Sequence, residues 1–265
     1  MGELLYLYAI TDASALPALT RANLRGIEGG DVRTIVEGEL LGVTSHVPDA
    51  SYEETPLNER LQDLDWLAPR AAVHQDVNAK LLDLAPSVVP LAFGAIYRGP
   101  EGVRALLRSR AADLLDRLRS VEGRAEWIIS VEREATDLPP GESLRVLDGE
   151  IAAAAPGRAF LLGKRRDEVV REERRARDAA VAEETQGFIE DIVERIYREP
   201  LIDDPTATAV ARFSVLVPRV REIGLGDAVR RLHATDVARG YRVRLSGPWP
   251  AYRFGGLPSE RVGSA

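Results

Sequence analysis

Cysteine is absent from this 265-residue chain, which removes disulfides, thiol nucleophiles and the usual structural zinc sites together. Histidine is scarce as well. His46, His74 and His233 are the only three, and no H-x-x-x-H or H-E-x-x-H spacing puts two of them on one helix face. A metal centre is therefore not expected, and His74 is expected to cap or flank the core stripe of its helix. The chain has no G-x-S-x-G elbow, and the glycines from Gly26 to Gly30 form neither G-x-G-x-x-G nor a Walker loop. No apolar run approaches the roughly 20 residues that span a bilayer. The opening Met1-Gly-Glu-Leu-Leu-Tyr-Leu-Tyr-Ala-Ile10 lacks the basic region of a secretory signal. Basic residues are outnumbered, 35 against 42 acids, for a net charge of −7; no general affinity for nucleic acid or anionic membranes is expected. With 42 acids present, no carboxylate pair stands out for acid/base chemistry, and solvated surface is their default. A soluble, cytoplasmic protein without a cofactor is the reading these absences leave.

What is present suffices for one large or two ordinary domains, since 45% of residues are hydrophobic. Leu4 to Ile10 reads as a strand buried on both faces. A polar, glycine-rich connection follows, and then Val32 to Glu37 and Leu40 to Val47 read as a hairpin about Gly38. Residues 49 to 69 are mostly polar, with a break at Pro69. Val73, Val77, Leu81 and Leu84 recur at helical spacing before Pro86. Val88 to Tyr97 carries Pro90 and Gly94, which suit an edge strand or a bulge. Gly99-Pro100 opens a helix with Val103, Leu106, Leu107, Leu114, Leu115 and Leu118 on its buried stripe. Gly123 marks the expected domain boundary, between residues 1–122 and 123–265. Trp127 to Val131 reads as a strand, Pro139-Pro140-Gly141 as a break, and the Ala-rich run to Pro156-Gly157 as a weak helix or loop. Gly157 to Glu199 reads as one long helix, or two with a kink near Gly187; about 40 residues span roughly 60 Å, so part must protrude or bend. Two more strands, Ala209 to Val217 and Tyr241 to Leu245, flank a helix from near Asp227 to Gly240. The order β, long α, β, α, β, with room for one missed strand, suggests an antiparallel sheet with helices on one face, as in ferredoxin-like α+β folds.

The most distinctive stretch is Tyr241-Arg-Val-Arg-Leu-Ser-Gly-Pro-Trp-Pro-Ala-Tyr-Arg-Phe254. Tyr241, Val243 and Leu245 alternate with polar residues, as a half-buried strand requires. Pro248 and Pro250 are expected to end that strand and send the chain off stiffly. Trp249, Tyr252 and Phe254 then gather large rings that are costly to leave in water. A strand entering Ser-Gly-Pro-Trp-Pro-x-Tyr-x-Phe resembles the ending of the gas vesicle protein F/L family. Four further stretches resemble that family in order: Leu5-Tyr-Leu-Tyr-Ala-Ile10, Val89-Pro-Leu-Ala-Phe-Gly94, Glu126-Trp127 and Gly157-Arg-Ala-Phe-Leu161. Ala92 departs from a frequent arginine, Ala251 from a common third proline and Arg253 from a small polar residue. The resemblance implies two α+β domains, the second a modified ferredoxin-like fold with a long helix. It also implies a non-enzymatic role in gas vesicle assembly, through contact with the hydrophobic shell protein and with other accessory proteins.

Two stretches are candidates for protein contact. From Lys164 to Asp178 the long helix is nearly all charge, with Arg165, Arg166, Arg171, Arg174 and Arg175 among interspersed acids. Asp167–Arg171 and Glu173–Arg177 stand at i, i+4 for mutual support. Mixed signs at this spacing suit a solvated face first and a docking surface second. Trp249, Tyr252 and Phe254 suit intramolecular packing first, as a strap across the sheet or between domains, and an exposed contact second. Residues after Gly255 read as a disordered tail. The reading is an assembly factor or minor structural component of the gas vesicle; a small-molecule-binding or catalytic α+β protein is the alternative.

Overall fold

The computed structural model describes residues 3–134, 140–201 and 207–257. The expected break at Pro139 and the tail beyond Leu257 lie outside these residues. The chain is α+β, with two antiparallel sheets, and it forms two compact units. One comprises Met1–Trp127, Leu216–Arg219 and Gly247–Ala265; the other comprises Ile128–Val215 and Val220–Ser246.

In the first unit, Leu4–Asp12 (β1) is the hub, buried at every position except its last. Helix Leu16–Ala22 (α1) leads to the hairpin Val32–Glu37 (β2) and Leu40–Val47 (β3), turned at Gly38 with φ +59°. Short helices Asp49–Tyr52 (α2) and Glu54–Arg60 (α3) precede Leu64–Leu84 (α4). Val88–Pro90 (β4) and Ile96–Arg98 (β5) follow, then Gly99–Ser109 (α5) and Ala111–Val121 (α6). The sheet runs β2-β3-β1-β4, with β5 also on β1. β4 meets Ala9–Thr11 and β5 meets Leu4–Tyr6, so the two lie end to end on one edge of β1. That is where Pro90, which cannot donate to a ladder, is tolerated.

Both faces of this sheet are covered, which is why β1 is a continuous apolar run. Leu4, Tyr6 and Tyr8 face one core with Trp66, Val77 and Leu81 of α4. Leu5 and Leu7 face the other with Val103, Leu107, Leu114 and Leu118 of α5 and α6. The alternation then inverts. Ala9 joins Tyr8 in the first core and Ile10 enters the second, because the register against β3 shifts between Leu7 and Ala9. One extra residue in a strand flips every later side chain to the other face. Fully buried side chains such as Leu7 and Ile10 each contribute about 1.5–3 kcal/mol relative to exposure.

The second sheet has the order β7-β8-β6-β9, formed by Arg124–Arg133 (β6), Arg195–Arg198 (β7), Ala209–Pro218 (β8) and Tyr241–Trp249 (β9). Helices Glu142–Ala153 (α7) and Pro156–Ile189 (α8) lie between β6 and β7 in sequence, and Glu222–His233 (α9) between β8 and β9. This is the β-α-β-β-α-β chain order of ferredoxin-like folds. Helix α8 buries Val181, Ala182, Thr185 and Ile189, while α9 buries Leu225, Ala228, Val229 and Leu232.

Several elements differ from the sequence expectations. Helix α4 begins at Leu64 rather than Arg70, because Asp63 accepts the Asp65 and Trp66 amides as N-cap and Pro69 is absorbed inside the helix. The expected single helix after Gly99 is two, broken at Arg110. The Ala-rich run is helical as α7. Helix α8 continues through Gly187 without a break and ends at Ile189, and the supposed amphipathic continuation contains β7. Ile192, Val193, Ile196 and Tyr197 are β-branched or aromatic, and pairing with β8 outweighs their helical spacing. Helix α9 runs 222–233 rather than from Asp227 to Gly240. Strand β9 does not stop at the prolines; it continues to Trp249 through a cis Gly247–Pro248 bond.

Candidate functional site

The C-terminal strap is anchored residue by residue onto the first unit. Gly247 has φ +143°, and a Cβ there would lie 2.9 Å from the Trp127 ring and 3.0 Å from the Glu126 carbonyl oxygen. Only glycine fits so close an approach in that conformation. Beyond Trp249 the chain turns, with the Gly255 and Gly256 amides both donating to the Ala251 carbonyl. The Arg253 amide donates to the buried carboxylate of Glu126 at 2.7 Å. Arg117 donates to the Gly255 and Gly256 carbonyls at 3.3 and 2.8 Å. Phe254 packs on Val121, Leu216 and Ala251.

Tyr252 carries the longest reach. The residue is about one-third exposed, but its hydroxyl accepts from Asn78 Nδ2 at 2.9 Å and lies 3.3 Å from His74 Nε2. Desolvation pushes its phenol up to about 12. His74 is only 4% exposed, surrounded by the rings of Tyr6, Tyr8, Phe93 and Tyr252. The Tyr6 hydroxyl, which accepts the Gly94 amide, stands 2.8 Å from Nδ1, and Asn78 Nδ2 stands 3.0 Å from Nε2. Burial outweighs a hydrogen bond to the Leu91 backbone and lowers the imidazole to about 4, so it is neutral at neutral pH. His74 thus belongs to the core, not to its rim. The anchors His74, Asn78 and Glu126 lie more than 120 residues from the strap in sequence, and only the buried-face spacing of His74, Val77, Asn78 and Leu81 on α4 hints at them.

The arginines of the charged run lie on α8, which pairs with α7 as a helical hairpin. Arg166 is bound to Asp148 of α7. Glu173 accepts the Gly141 amide at the start of α7 and pairs with Arg177 at 3.5 Å. Arg165, Arg171, Arg174 and Arg175 are exposed, and among the described residues no ion pair joins Asp167 to Arg171. The run is therefore partly the seam of the hairpin and partly solvated surface. Sequence reasoning missed what lies before it: Phe160 and Leu161, 65% and 66% exposed. Two further large apolar side chains stand out, Val220 just before α9 at 92% and Ile223 in its first turn at 82% exposure.

Two open depressions, of about 430 and 450 Å³, are lined by Glu184, Gly187 and Phe188 and by residues of the Tyr197–Leu201 stretch with Val210. Neither lining contains a histidine. Among the described residues no cluster of three histidines or carboxylates is arranged to hold a metal, and no helix is long and apolar enough to cross a membrane.

A family profile described as gas vesicle synthesis protein GvpL/GvpF matches residues 4–255. The chain is 30% identical to gas vesicle protein L of a Streptomyces strain, over 98% of this chain and 96% of that protein. It is 27% identical to gas vesicle protein L2 of Halobacterium salinarum, over 94% and 90%. The crystal structures of the gas vesicle protein GvpF from Anabaena and from Microcystis aeruginosa superpose with TM-scores of 0.66 each, at 15% and 16% identity. They cover 99% and 96% of this chain and 100% and 99% of theirs, which fixes the likeness of fold.

Proposed function

The chain belongs to the GvpL/GvpF family of gas vesicle synthesis proteins, and from that premise we propose that it works by binding, as an assembly factor for the gas vesicle. It binds the hydrophobic shell protein and other accessory proteins during vesicle formation, and it catalyses no reaction. The observation that carries this reading is the set of large apolar side chains left in solvent, Phe160, Leu161, Val220 and Ile223. Single exposed apolar residues are ordinary, but paired ones at 65% exposure or more mark contact surfaces. Neutral, fully engaged His74 favours binding over acid/base chemistry at that site. Arg165, Arg171, Arg174 and Arg175 supply charge that sets partner and orientation, and Trp249, Tyr252 and Phe254 hold the C-terminal segment to the first unit.

Co-purification tests this. A tagged chain expressed with the shell protein and the remaining accessory proteins carries them through a wash at moderate salt. Recovery of the tagged chain alone, from cells that make all the partners, overturns the reading. Its amount in purified vesicles before and after stripping peripheral proteins separates a wall component, which stays, from an assembly factor, which leaves.

A further inference from the structure

The structure points to the free end of the α7–α8 hairpin as a docking surface; we propose that it takes an amphipathic protein helix whose apolar stripe is flanked by carboxylates. This deepens the binding reading and rests on it.

The four buried residues of α8 all lie from Val181 onward, and Asp178 accepts from Arg133 of β6 and Tyr241 of β9; the stretch before it, roughly 33 Å from Pro156 at 1.5 Å per residue, is tied to α7 through Arg166–Asp148 and Glu173–Gly141. At its free end Phe160 and Leu161 are adjacent and about two-thirds exposed. Beside them Ala152, Ala153 and Ala155 are exposed and Ala154 and Ala159 half-buried. Two large anchors near exposed alanines alternate bulk with small side chains, the combination against which a third helix packs. A bilayer has no use for the small residues.

Charge selects the partner. From Gly149 to Arg165 there is one acid, Glu150, against three bases, Arg158, Lys164 and Arg165, in a chain whose net charge is −7. None of the three bases has a carboxylate partner among the described residues; Lys164 instead lies 5.1 Å from the centre of the Phe160 ring. Helix α8 has Ala155 at its N-cap and so no side-chain cap, which leaves the positive end of its dipole on the same side. Two copies of this end repel each other. An apolar surface rimmed by unpaired cations fits an apolar stripe rimmed by anions.

Fluorescence anisotropy on the full chain tests the inference. The probe is a designed helical peptide with leucines at i, i+3, i+4 and i+7 and flanking glutamates, compared with the same peptide carrying lysines. The glutamate peptide binds about tenfold or more tighter than its lysine counterpart, and the difference shrinks as salt is added. F160S/L161S weakens it by about tenfold or more, since paired apolar anchors dominate such contacts. R158E/K164E/R165E reverses the order of the two peptides. Because all five side chains are exposed, circular dichroism melts of both variants match the wild type. Equal binding of both peptides, or binding indifferent to F160S/L161S, overturns the inference. So does binding of neither peptide alongside co-sedimentation with phosphatidylcholine–phosphatidylglycerol vesicles, or self-association lost on F160S/L161S. If wild type and F160S/L161S both retain shell and accessory proteins in co-purification, this surface is wrong while the assembly reading stands; if wild type retains none, the assembly reading itself fails.

Discussion

Protonating His74 should loosen the first unit, and the size of the effect follows from its surroundings. The ring sits among Tyr6, Tyr8, Phe93 and Tyr252, and desolvation lowers it from 6.5 to about 4. The unfolded chain therefore binds a proton between about pH 6.5 and 4 that the folded chain refuses. The stability from the neutral ring is fully present above pH 6.5 and is lost as pH falls towards 4. A shift of that size corresponds to about 3 kcal/mol across the whole window, and to about 2 kcal/mol between pH 7 and 4.5. The many carboxylates also titrate in acid, so the measurement is a difference of differences. Urea unfolding free energies of wild type and His74→Gln are taken at pH 7 and pH 4.5. At pH 7 the wild type exceeds the variant, which loses ring packing; at pH 4.5 that advantage falls by about 2 kcal/mol. Nuclear magnetic resonance of the His74 ring keeps its neutral chemical shifts down to about pH 5. An advantage equal at both pH values, or a ring that titrates near 6.5, refutes the buried, uncharged site.

Three other outcomes follow from the same geometry. Gly247→Ala forces a methyl group to 2.9 Å from the Trp127 ring at φ +143° and costs about 2–3 kcal/mol in thermal or urea unfolding. Tyr252→Phe keeps the ring but removes one of the two partners of the Asn78 amide nitrogen, in a site where Asn78 Oδ1 already lacks a partner among the described residues, and costs about 1 kcal/mol. Arg166→Ala breaks a half-exposed pair with Asp148 and lowers the unfolding midpoint only slightly, less so at high salt; a large drop would mean that the hairpin seam depends on this one pair.

Much of the fold was legible because local pattern and tertiary context agree. The run Leu4 to Ile10 is apolar on both faces and has helices over both, and Gly38 turns the β2–β3 hairpin as its position suggested. The errors fall where context overrides pattern. Ile192 and Ile196 keep helical spacing with Phe188, yet the chain turns after Ile189 and Ile196 joins β7. Pro69 looks like a terminator but is carried within α4, whose N-terminus Asp63 secures upstream. The Leu7/Ala9 shift in β1 leaves no trace in a run that is hydrophobic throughout. For the candidate sites the charged run and the aromatic ending were visible as composition. Their partners were not, because Tyr252 meets Asn78 and His74, and Arg253 meets Glu126, only after the chain has folded. Phe160 and Leu161 stand in the sequence only as part of the Gly157-Arg-Ala-Phe-Leu161 stretch, and nothing in the local pattern marks them as exposed.

The most direct test of function by binding alone is the light scattering of shell protein diluted from denaturant into increasing amounts of this chain. The account predicts suppression of aggregation that grows in proportion to the added chain and saturates near a stoichiometric ratio. Scattering unchanged at every ratio, or abolished by trace amounts, would contradict it.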